Sequence, residues 1–172
     1  MDVLIEIHDS DVGYETVAHE KEYTVRKASR AIVVNQFNQV AILYVSKKNY
    51  HKLPGGGAEQ NESLTKALIR EVLEEVGAEI NIVSEVGRAI EYRDRQELIQ
   101  ESYCYIAKVS KLHQNQSLTK EELNDGFILK WVPLEQAIAL LQDDRPIDYT
   151  GAFIHKRDYA LLTKAVEHLM NA

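Results

Sequence analysis

The stretch that most constrains this chain is Leu53-Pro54-Gly55-Gly56-Gly57 and the segment just after it. A proline and three glycines punctuate regular structure, so they mark a sharp turn. Residues 63–76 then follow a helical period. Asn61 or Ser63 can cap the start, and Gly77 stands where helices commonly end in a left-handed residue. At about 100° per residue, Leu64, Leu68, Val72 and Val76 form an apolar arc that Ile69 and Leu73 extend. Glu74 falls on the polar side beside Arg70, but Glu71 and Glu75 flank Leu64, and Glu75 lies between Leu64 and Leu68. A carboxylate on a packing face is costly unless something neutralises it.

Glu71, Glu74 and Glu75 stand at i, i+3 and i+4, so their side chains can converge. Clustered carboxylates of this kind suit a hard divalent ion, Mg²⁺ or Mn²⁺. A solvated acidic face is the competing description of three glutamates alone. The glycines let the backbone come close to a ligand, with carbonyls toward a metal and amides toward a phosphate. No Gly-Lys-Ser/Thr follows, so this is not a Walker-type loop. The chain is acidic, with 27 Asp plus Glu against 20 Lys plus Arg and a net charge of −7. That balance disfavours a nucleic-acid polymer or an anionic membrane as partner, while a bound cation can reverse the sign locally for a small phosphorylated molecule.

Along the rest of the chain, strands are expected over 3–7 and 15–25, and a hairpin over 31–35 and 40–45. Further strands are expected over 80–92, 102–109 and 127–132. Residues 93–101 read as a polar connection and 111–125 as a loop. Helices are expected over 133–141 and, with an apolar side of Leu161, Leu162, Ala165 and Leu169, over 154–170. Mixed strands and helices with hairpin connections point to a single α/β domain over 1–172, with N-terminal strands in 1–27 and a C-terminal helix in 151–172. Cys104 is the sole cysteine and reads as a small buried hydrophobe. The first residues lack a signal-peptide pattern and no apolar run reaches membrane-spanning length, so a cytoplasmic protein is expected.

Taken together, residues 56–78 read Gly, five residues, Glu, seven residues, Arg-Glu-apolar-any-Glu-Glu-any-Gly-apolar. Gly56, Glu62, Arg70, Glu71, Val72, Glu74, Glu75, Gly77 and Ala78 fill the pattern. It resembles the signature of the Nudix hydrolase family, which acts on a nucleoside diphosphate linked to another moiety X. The resemblance implies a Nudix-type α/β/α sandwich with a mixed β-sheet. It also implies metal ligation by Glu71, Glu74 and Glu75 with backbone help at Gly55 or Gly56, Glu62 as an accessory acid, and Arg70 orienting a glutamate. The activity implied is water attack at phosphorus, splitting a diphosphate bond in a nucleoside diphosphate derivative or nucleoside triphosphate. The alternative is a Nudix-like nucleotide-binding or sensor domain without turnover. The resemblance also makes a homodimer a candidate assembly.

Two departures from the pattern stand out. Ala78 is smaller than the usual aliphatic, and His51 occupies the place where many members have Trp; His51 reads as structural. Glu71 or Glu74 is the first choice for the general base, with Glu101, Glu122 or Asp125 as outside candidates. Arg26, Arg30, Tyr92, Tyr103 and Tyr105 are candidate substrate contacts, the arginines for a distal phosphate and the tyrosines for stacking. Arg93 and Arg95 are further phosphate candidates. Lys156-Arg157-Asp158 reads as a pocket border or an exposed turn.

Overall fold

A computed structural model describes residues 1–16, 20 and 22–170. The sheet is mixed and seven-stranded. Its strands are β1 (Val3–His8), β2 (Thr24–Val34), β3 (Gln39–Val45), β4 (Tyr50–Lys52), β5 (Ala78–Arg93), β6 (Leu98–Leu112) and β7 (Phe127–Pro133). The order is β1-β5-β6-β2-β3-β4, with β7 also paired to β3. β1 runs parallel to β5 and β2 parallel to β6, while the other pairs are antiparallel. The helices are α1 (Leu64–Val76), α2 (Lys120–Asp125), α3 (Leu134–Asp143) and α4 (Tyr149–Met170).

Two apolar cores lie on opposite faces of the sheet. On one, Leu68, Val72 and Val76 of α1 pack on Ala31, Val33, Ala41 and Tyr105. On the other, Ala137 and Leu141 of α3 and Leu161, Leu162 and Ala165 of α4 cover Ile32, Ile42, Leu53 and Ile106. Helices on both faces of a mixed sheet make the expected α/β/α sandwich. Residues 28–33 of β2 are all buried because the strand is covered on both sides. Burying each Leu or Val contributes roughly 1.5–3 kcal/mol relative to leaving it in water.

Several boundaries differ from those expected. The strand expected over 15–25 falls partly on 17–19 and 21, outside the described residues; Thr24 and Val25 open β2. The 31–35/40–45 hairpin forms, yet β2 and β3 pair only at Val34↔Val40, since residues 54–58 take that edge of β2 before it while β6 runs along the opposite edge. Residues 93–101 are mostly strand ends joined by a short 3-10 turn, Asp94–Gln96. Within the expected loop 111–125, Thr119 caps α2 in a reciprocal box with Glu122. α4 starts at Tyr149, ahead of the expected 154. On α1, Ile69 and Leu73 are exposed rather than part of the packing arc. The buried stripe is narrower, with Ala67 beside Leu68.

Candidate active site

The glycine turn is not a free loop. Ser29 N–H donates to the Gly56 carbonyl (2.9 Å), Ala31 N–H to Pro54 (3.0 Å), and Ala58 N–H to Lys27 (2.9 Å). These bonds pair the turn with the edge of β2 that β3 leaves unpaired, and Gly57 bridges Ala28. The helix that follows is anchored at both ends. Ser63 caps it by accepting from Lys66 N–H, and the Ser29 hydroxyl donates to the Leu64 carbonyl (2.6 Å). At the far end Gly77 adopts φ 70° and its N–H donates to Leu73. His113 N–H and Ser117 N–H donate to the Gly77 and Glu74 carbonyls (2.7 and 2.8 Å), which would otherwise lack partners at a helix end. The Gln116 side-chain amide does the same for Glu75.

On this frame the acids divide their tasks. Carboxylate oxygens of Glu71, Glu75 and Glu122 lie within 4.8 Å of one another. Glu75 is buried, and its oxygens accept from Lys52 Nζ (2.6 Å) and Gly55 N–H (2.7 Å). Burial pushes its proton affinity up, against the pull of Lys52 and the Gly55 amide. Glu74 is one-third exposed and lies 3.6 Å from Arg70. Its pKa is raised, first by partial burial and then by the negative charge of Glu71, with Arg70 opposing.

Arg70 is the organiser of the cluster. Its guanidinium grips both oxygens of Glu62 (3.0 and 2.9 Å), donates to Glu71 Oε1 (2.7 Å) and reaches the Gly57 carbonyl (3.1 Å). The fork holds Glu62 well below the usual carboxylate range, at about 2, with the Glu59 amide helping. Glu62 is therefore engaged with Arg70 and stands outside the acid trio. Gly56 is closed to any side chain, because a Cβ there would meet the Glu71 carboxylate at 2.4–2.5 Å. Gly56→Ala is accordingly expected to displace Glu71. A metal-affinity titration should show at least about tenfold weaker binding with the circular dichroism spectrum unchanged; unaltered affinity would mean Glu71 is not where the cation sits.

The donor set matches a hard divalent cation: oxygen-only, anionic and convergent, with Gly56 allowing Glu71 to lie against the turn.

The remaining candidates are scattered. Arg26 is exposed, and its guanidinium lies where a side chain on Gly57 would go. Arg30 is buried, with its pKa lowered to about 10 by burial and by Arg157. Tyr92 stacks on His8 at 4.5 Å. Tyr103 donates to Glu101 (2.7 Å) and accepts from Arg88 (3.2 Å). Tyr105 is buried in the α1-side core. Asp125 pairs with Lys48 (2.8 Å). Arg93 is buried against Glu91, and Arg95 lies over the Tyr14 ring. His51 bonds Asp144 (2.8 Å) and Lys130 (3.1 Å), a satisfied structural histidine.

Arg157 and Asp158 are wholly buried on α4, so the exposed-turn reading of 156–158 fails. Asp158 accepts from Leu53 N–H (2.8 Å) and from Arg157 (2.6 Å), and Arg157 reaches Glu91 (3.2 Å). This network ties α4 to the residue that opens the glycine turn. Its sequence signal was present: Phe153, Arg157 and Leu161 share one helical stripe, as do Asp158, Leu162 and Ala165. Lys52, the partner of Glu75, carried no sequence signal of its own.

The NUDIX domain model matches residues 25–151, most of the chain. This chain belongs to the NUDIX family. A mouse (Mus musculus) relative, diphosphoinositol polyphosphate phosphohydrolase 2, is 26% identical over 125 residues, covering 71% of this chain and 66% of its own length. The chain thus spans just under two thirds of that relative. Among solved structures, a NUDIX hydrolase from Nitrosomonas europaea superimposes with a TM-score of 0.57 at 16% identity, over 77% of this chain and 88% of its own. The C. elegans Ap4A hydrolase superimposes with a TM-score of 0.54 at 19% identity, over 85% and 99%. At such identities the structures speak for the NUDIX fold alone. Among the described residues, no helix is long and apolar enough to cross a membrane.

Proposed function

We propose that this NUDIX protein hydrolyses a diphosphate bond in a nucleoside diphosphate derivative or nucleoside triphosphate, by water attack at phosphorus, with Mg²⁺ or Mn²⁺ as cofactor. The observation that carries this is the meeting of Glu71, Glu75 and Glu122 beside a glycine turn that leaves no room for a side chain. Family membership and the hydrolase names of the relatives support it.

Glu71 and Glu75, with Glu122 and the Gly56 carbonyl, would hold the cation; Glu74, expected as a third ligand, stands outside that trio, 3.6 Å from Arg70. When bound, such an ion offsets the charge of a diphosphate and acidifies water. Arg70 is a positioning residue: it aligns Glu71 and keeps Glu62 ionised at its back. Glu74 is our choice of general base, because its raised proton affinity lets it take a proton from water while Arg70 holds it near the cluster. Glu101 and Asp125 suit that role less, each being bonded to a neighbour. Arg26, beside the turn, is the substrate-contact candidate that a phosphate could reach most readily. We place the protein in the cytoplasm, in keeping with its single, free, buried cysteine.

The deciding experiment is release of phosphate, pyrophosphate or nucleoside monophosphate across a nucleotide panel, with Mg²⁺ and with chelator. Metal-dependent release from at least one nucleotide is expected; no release from any, or release indifferent to chelator, would defeat the proposal. Glu74→Gln should lower turnover at least about tenfold. The same variant should slightly stabilise the metal-free protein. A carboxyl whose folded pKa is raised destabilises the fold once ionised, so the gain exists at neutral pH and vanishes below the unfolded pKa. Solvent screening at this half-open position limits it to about 1–2 °C in Tm, readable by scanning calorimetry at pH 7 and pH 4.

A further inference from the structure

Lys52, the last residue of β4, turns its side chain toward α1. It is 8% exposed, and its ammonium donates to Glu75 Oε1 (2.6 Å) and to the Gly55 carbonyl (3.3 Å). The Phe127 ring lies on a further side, with its centroid 5.0 Å from Nζ. Two oxygens and an aromatic face give all three ammonium donors a partner. The charge of Lys52 is therefore held inside the site rather than in solvent.

The lysine is also fixed in place. On one flank His51 N–H donates to Asp144 (2.5 Å), and on the other Leu53 N–H donates to Asp158 (2.8 Å); both carboxylates are buried. Glu75 is fixed in turn, because its second oxygen accepts from Gly55 N–H (2.7 Å). Lys52, Gly55 and Glu75 thus form a closed unit in which the ammonium bridges a carboxylate and a backbone carbonyl. Those are the oxygen donors that a hard divalent ion takes. Here they hold a compact point charge of single valence. Because Glu75 also meets Glu71 and Glu122, that charge stands at the border of the carboxylate trio.

We propose that Lys52 is a resident cation of the active site, occupying the position between Glu75 and the Gly55 carbonyl that a second divalent ion would need, so that the protein alone binds a single divalent ion among Glu71, Glu75 and Glu122. The proposal rests on the hydrolase reading above and fixes how much of the site's positive charge the chain itself supplies. Sites that act on phosphate esters and anhydrides can clamp their substrate with two metal ions. In this chain a buried ammonium stands in for one of them, and its presence does not depend on the free metal concentration.

The test counts Mn²⁺ bound to the full chain, without nucleotide, by equilibrium dialysis, and records electron paramagnetic resonance spectra of the same samples frozen. Glu71→Gln, which lacks a central ligand, gives the background from the acidic surface. One ion per chain above that background is expected, with the hyperfine pattern of an isolated ion. Lys52→Met keeps the apolar stem and removes the charge. It should take up a second ion, and the spectrum should change through coupling between two ions that share Glu75. Removing one partner of a buried pair is costly to the fold, so circular dichroism is read with Mn²⁺ present. Lys52→Gln, which retains a hydrogen-bond donor, is the second variant and should likewise bind two. Two ions on the parent chain, or one on each folded variant, would overturn the proposal while leaving the hydrolase reading intact. No ion on the parent chain would defeat the metal-dependent reading itself, and the proposal with it.

Discussion

Glu71→Gln is expected to reduce turnover at least about 100-fold while the protein stays folded. The side chain meets Glu75 and Glu122, receives Arg70 at 2.7 Å and fills the space that Gly56 leaves open. An amide keeps that shape but removes the charge that a cation would need, and it turns one oxygen into a donor aimed at Arg70 or at another carboxylate. Losing even an outer partner of a metal site typically costs 10–100-fold, so losing a central ligand should cost at least the upper figure. Steady-state rates over a Mg²⁺ series, with circular dichroism as the folding control, would measure it. Turnover within threefold of the parent protein would remove Glu71 from the centre of the site.

Arg157→Ala should be the most destabilising single change on the other side of the sheet, costing about 3–5 kcal/mol. Arg157 lies wholly buried between Asp158 and Glu91, and Arg93 grips the second oxygen of Glu91 (2.7 Å). Burial alone would push the Glu91 carboxyl up. The Arg157 and Arg93 guanidiniums override that and hold it below its ordinary value. Deleting Arg157 leaves two buried carboxylates short of a counter-charge. A carboxylate with a depressed folded pKa contributes stability above its unfolded pKa, and that contribution is lost as pH falls through the folded value. The penalty should therefore be largest near neutral pH and shrink in acid, with Tm lowered by roughly 10 °C at pH 7. A calorimetric shift of less than two degrees would show that the network contributes little to stability.

The two halves of this protein were not equally legible from sequence. The acid helix could be read closely because cap, period and left-handed glycine all fall within a short local segment, from Ser63 to Gly77. The wheel also exposed the anomaly of Glu75, an acid placed among leucines. What local spacing could not supply was its neighbour across the turn. Lys52 meets Glu75 only because β4 ends beside α1, a tertiary event. Glu122 joins the cluster for a similar reason, delivered by a short helix whose Thr119 box lay within a stretch read as loop. For Arg157 and Asp158 composition misleads: three consecutive charged residues suggest an exposed turn, although their helical positions put two of them on the buried stripe.

The single pairing between β2 and β3 has a mechanical corollary. With β3 drawn away after Val34↔Val40, the glycine segment takes the vacant edge of β2 and serves as a strand in all but name. Amides of Ser29 and Ala31, though bonded to turn carbonyls, should exchange with deuterium as slowly as those of the central sheet. Any rearrangement that admits substrate would then have to come from the 113–117 and α2 side, leaving the segment over Gly56 stationary throughout the reaction cycle.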